Sequence, residues 1–109
     1  MLTVSISVGT DAGWNTSSDT YVMWNWKGGT TSGITTNGST TITPISYSFN
    51  TGAGFSMVRY HGNETAGAKI PHGLGAVPHW GLFKNMNNDE PWTVYHKNCT
   101  SSPETDYLQ

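Results

Sequence analysis

The residues best suited to chemistry lie in IPHGLGAVPHW (70–80), which sets His72 and His79 among Pro71, Gly73, Gly75 and Pro78. A histidine on a sharp turn can shuttle protons near neutral pH or ligate a metal. A zinc centre, however, needs three or four converging ligands, commonly including a close pair. The four histidines, His61, His72, His79 and His96, are spaced by eleven, seven and seventeen residues, and Cys99 is the single cysteine. That spacing predicts no metal centre, and nothing in the sequence calls for a cofactor.

Other chemistries fare no better. There is no Gly-x-Ser-x-Gly elbow to expose a nucleophilic serine, and Cys99 has no orienting histidine at a recognisable spacing. Glycoside hydrolysis needs two carboxylates facing each other across a cleft. Glu64, Asp89, Glu90, Glu104 and Asp106 fall in turns or in the C-terminal tail, where solvated carboxylates are the ordinary finding. The run Asn87-Asn88-Asp89-Glu90 offers oxygen ligands to a hard cation but lacks the spaced ligands of a calcium loop. The sequence therefore predicts no catalytic residues, and a small glycan hydrolase is the weakest of the functions it allows.

The glycines and prolines carry a firmer meaning. Glycine adopts positive φ without steric cost, and proline fixes φ near −65°. Pro71, Gly73, Gly75 and Pro78 together specify a rigid reversal, with Leu74 able to plug a core and His72 able to brace the corner through a ring nitrogen. The stretch reads as architecture first.

The elements around it are β. Ser and Thr make up roughly a quarter of the 109 residues, charged residues only 11%, and the net charge is −2. Thr suits strands, and Gly and Asn suit tight turns. The five basic residues are scattered, so no nucleic-acid face is expected. No apolar run approaches the ~20 residues of a membrane-spanning helix, so no membrane insertion is expected. One cysteine excludes an internal disulfide. Sequons begin at Asn15, Asn37, Asn63 and Asn98, about as many as this composition yields by chance.

Strict alternation predicts a strand over LTVSISV (2–8), and TYVMWNWK (20–27) a second, with Val22, Trp24 and Trp26 on one face. Residues 28–40, rich in Gly, Thr and Ser, read as a loop or linker between a first strand pair (1–27) and a module over 41–109. TITPISYSFN (41–50) is an irregular strand that Pro44 should keep at an edge. GFSMVRY (54–60) is a clear strand, with Phe55, Met57 and Arg59 opposite in facing to Ser56, Val58 and Tyr60. AKI (68–70) is a short one. HWGLFKNM (79–86) and PWTVYHK (91–97) form a hairpin through NNDE, with Trp80 and Leu82 on the face of Trp92 and Val94. Such spacing predicts an all-β chain, an antiparallel β-sandwich of jelly-roll or concanavalin-like type, with most tryptophans buried.

Taken in order, Tyr60, Gly62-Asn63-Glu64-Thr65-Ala66-Gly67, His72-Gly73-Leu74-Gly75, Pro78 and Trp92-Thr93-Val94-Tyr95-His96 resemble a module of phage tail fibres and related virion proteins, especially of marine phages. DTYVMWNWK (19–27) is similar to the last strand of a concanavalin-like sandwich that often precedes it. The resemblance implies a β-sandwich without catalysis, located in the virion tail and acting outside the cell. It also implies partners among other virion proteins or copies of itself, and a chain that continues past SPETDYLQ. The function expected is a non-enzymatic structural or host-attachment module. The alternative is a carbohydrate-binding module reading cell-surface glycans, for which Trp14, Asn87 and Asp89 are the candidate contacts, since aromatic faces stack on sugars and polar groups bind hydroxyls.

Overall fold

The computed structural model describes residues 5–36, 40–99 and 101. Residues 2–4 of the first expected strand, 37–39 of the expected linker, and Glu104 and Asp106 of the tail lie outside them.

Four strands form: β1 (Pro44–Asn50), β2 (Phe55–Tyr60), β3 (Trp80–Phe83) and β4 (Thr93–His96). They make two antiparallel two-stranded sheets, β1–β2 and β3–β4, and no helix occurs among the described residues. The chain is all-β, as its composition predicts. Among the described residues no close backbone contact joins the two sheets.

β1 and β2 are joined by Thr51–Gly54, closed by the Gly54 N–H on the Thr51 carbonyl at 3.3 Å and the Ala53 N–H on Asn50 Oδ1 at 3.0 Å. The register sets Tyr47 opposite Val58 and Phe49 opposite Ser56, so these four side chains share one face. Ser46, Ser48 and Asn50 share the other with Phe55, Met57 and Arg59. Pro44 opens β1, and the register slips between Pro44 and Ser46. As expected of a strand that carries a proline, β1 is an edge strand of its two-stranded sheet, with a single isolated bridge to Thr30 on its outer side.

In the second sheet Trp80 pairs with His96, Leu82 with Val94 and Phe83 with Thr93. The expected hairpin is present, shortened to four residues a strand, and Trp80, Leu82 and Val94 share a face as expected. The Lys97 N–H on the His79 carbonyl, 2.9 Å, adds one rung beyond the ladder. The connection is longer than NNDE and runs from Lys84 to Trp92, with the Lys84 ammonium donating to the Glu90 carbonyl across it.

Three expected strands do not appear among the described residues. Residues 5–8, 20–27 and 68–70 carry no strand. Alternation alone makes an amphipathic ribbon, but a strand also needs a partner ladder for its backbone, and the backbone bridge to β1 comes from Thr30, beyond 20–27. Burial is correspondingly shallow. Ile42 is the one buried large apolar residue among those described, at 8% exposure, with Pro71 buried as well.

Candidate functional site

The corner at 71–75 packs on the face of β1. Gly73 has φ +71°, and a Cβ placed there would lie 2.7–2.9 Å from three ring carbons of Phe49. The glycine backbone therefore rests directly on the aromatic ring, where no other residue fits. The Thr51 hydroxyl donates to the Gly73 carbonyl at 3.3 Å, tying the corner to the β1–β2 turn. Within the corner, the Leu74 N–H donates to His72 Nδ1 at 3.2 Å, and Gly75 also has positive φ, +72°. Pro71 is buried, His72, Leu74 and Pro78 are half-buried, and Gly75 is exposed. Leu74 thus covers apolar surface without filling a core; the ring that occupies the space beneath the corner is Phe49.

The free edge of β1 is braced by a segment the sequence presents as a linker. Thr30 exchanges both backbone hydrogen bonds with Phe49, at 2.8 and 3.0 Å. Gly29 passes so close that a Cβ would sit 2.2 Å from the Phe49 carbonyl oxygen, and its N–H donates to Ser48 Oγ at 2.9 Å. Just upstream, the Trp26 ring stacks on Phe55, centroids 5.9 Å apart and planes 7° from parallel. The Gly28-Gly29 pair was the available signal for this close approach, since glycine in an extended run marks a backbone neighbour.

Most of the aromatic surface is outside. Against expectation, none of the five tryptophans is buried: Trp14, Trp24, Trp26, Trp80 and Trp92 are all exposed, Trp24 to 73%. Alternation places such residues on a common face, but burial requires a second layer over that face, and the described residues cover chiefly Phe49, under Gly73, and Phe55, under Trp26. Met57, Leu82 and Phe83 are exposed for the same reason.

The candidate binding residues lie in two loops, Trp14 in one and Asn87 with Asp89 in the other. Trp14, 61% exposed, rides a turn in which its own N–H and that of Asn15 bond the Asp11 carbonyl, while Asp11 Oδ1 accepts from Gly13 N–H at 2.7 Å. The Tyr21 hydroxyl donates to the Ala12 carbonyl at 3.1 Å and closes this loop from the far side. Asn87 and Asp89 are exposed in the β3–β4 connection, where the Asn87 N–H bonds Asn85 Oδ1 at 2.9 Å.

The histidines are likewise dispersed. His72 braces the corner, His79 Nε2 lies 3.5 Å from the Lys97 ammonium, and His96 Nδ1 accepts from the Asn98 N–H. His61 is exposed just after β2. What these arrangements offer chemically is contact: displayed rings, amide-rich loops and one stiff corner that fixes their scaffold.

No curated protein and no solved structure is similar enough to match this chain. A family profile does match, over residues 2–109, and the chain belongs to that family, a domain of unknown function (DUF7483).

Proposed function

We propose that the chain is a non-enzymatic structural or host-attachment module of a phage tail or related virion protein, acting outside the cell through surface contact. One observation carries the reading: large apolar side chains, among them Trp24, Trp80, Met57 and Leu82, are displayed on a β scaffold instead of packed within it. Large apolar side chains left in solvent in this number are what protein contacts use. The ordered motif from Tyr60 to His96 supplies the virion context. The reading carries with it the sandwich architecture expected from the sequence, for which two short sheets with apolar faces are suitable halves. Immunogold labelling of intact virions with antibody to this chain tests it. Label on the tail is the expected result, and label confined to infected-cell fractions would contradict it.

The carbohydrate-binding reading is favoured by one specific feature, the braced loop that holds Trp14 outward. An exposed ring pre-oriented by Asp11 and Tyr21 stacks on a sugar at little entropic cost. Binding on a glycan array that disappears in Trp14→Ala would support it; an array signal unaffected by Trp14→Ala would remove Trp14 as the anchor.

A further inference from the structure

We infer that β2 is an assembly edge, and that two copies of this chain pair β2 against β2, antiparallel and centred on Met57. The inference rests on the contact-module reading and names its partner as a second copy.

The backbone supports it first. Because Phe49 gives both its N–H and its C=O to Thr30, those groups point away from β2. Its cross-strand partner Ser56 therefore sits in a non-hydrogen-bonded pair, and the N–H and C=O of Ser56 point away from β1. The alternation repeats at Val58, opposite Tyr47. Ser56 and Val58 thus present two donors and two acceptors along a side where β2 has no strand neighbour among the described residues. An open edge of this kind templates another strand, and a two-stranded sheet is marginal until it gains one.

The side chain at the centre of that edge is open as well, Met57 being 64% exposed.

Self-complementarity selects the occupant. Centring on Met57 sets Ser56 against the partner's Val58 in a hydrogen-bonded pair, and Met57 against the partner's Met57. Arg59 then meets the partner's Phe55, an arrangement that permits a cation–π contact and places no like charges opposite each other. The two-fold relation closes the contact, so it gives a discrete dimer and not a fibre. The Trp26, Phe55 and Met57 surfaces of both copies fall on one face of the resulting four-stranded sheet.

Light scattering on the eluting chain and oxidative cross-linking test the inference together. The parent chain should elute at dimer mass, and Met57→Lys should weaken dimerisation at least about tenfold without altering the circular dichroism spectrum. In a Cys99→Ser background, Met57→Cys should cross-link to itself, because directly opposed residues of a non-hydrogen-bonded pair bring Cα atoms within disulfide range. Arg59→Cys in that background should not. A parent that stays monomeric at high micromolar concentration would overturn the inference, whether a further segment or another protein covers the edge. So would a dimer in which Met57→Cys fails to cross-link. Either outcome leaves the virion reading to the labelling experiment, which fails or succeeds independently.

Discussion

The two hairpins of this molecule have similar sequences of alternating apolar and polar residues and very different support. β1–β2 is braced three times: by the Gly73 corner on its face, by Thr30 along its edge and by Trp26 stacked on Phe55. β3–β4 has four residues a strand, one extra rung at Lys97 and no second layer among the described residues, where Trp80, Leu82 and Phe83 are exposed. The difference shows that in a chain with little core, stability comes from backbone approaching ring and backbone approaching backbone. Gly73 leaves the room for the first and Gly29, beside Thr30, for the second.

The largest effect should come from breaking the brace directly. Gly73→Ala imposes a left-handed conformation on a residue with a Cβ and drives that Cβ into Phe49. Together these should cost about 2–4 kcal/mol, read by chemical denaturation followed at the aromatic circular dichroism bands. The next effect is at Leu74. Full burial would make Leu74→Ala cost about 2–5 kcal/mol, but its side chain is only half-buried. A loss of about 1–2 kcal/mol is therefore expected, smaller than that of Gly73→Ala in the same assay.

Gly75→Ala sharpens the comparison within the corner. Its φ is as positive as that of Gly73, yet nothing lies within 4 Å of a Cβ placed there. Only the backbone term remains, about 1 kcal/mol, so the gap between the two variants isolates the contact with Phe49. The smallest effect belongs to the second hairpin. Leu82→Ala, at an exposed position without an overlying layer, should fall within about 0.5 kcal/mol of the parent. A Leu82→Ala variant that melts as early as Gly73→Ala would erase the distinction between the hairpins.

How much of this could be read from the sequence depends on whether the signal was local. Face assignments were legible, because period-two alternation in FSMVRY, WGLF and TVYH is set by the pleat itself. Positive φ at Gly73 and Gly75 fits the turn chemistry of PHGLG. The strand expected over 20–27 failed, since alternation records which residues share a face and not whether a neighbour supplies the ladder. The tryptophans fail for a related reason: Trp24 and Trp80 have core-like spacing, while the layer that would bury them is a non-local property. Phe49 under Gly73 and the outward groups of Ser56 and Val58 were invisible, because each depends on register between segments far apart in the chain. The binding candidates lie in polar loops, Trp14 in one and Asn87 and Asp89 together in another.

Amide hydrogen exchange at Ser56 and Val58 tests most directly whether the braced sheet carries an open edge. If β2 is an assembly edge, both amides exchange slowly at high protein concentration and faster on dilution, while the amides of Thr93–His96 exchange at a rate independent of concentration. Exchange at Ser56 and Val58 that is fast at every concentration, or no more concentration-dependent than in β4, would contradict it.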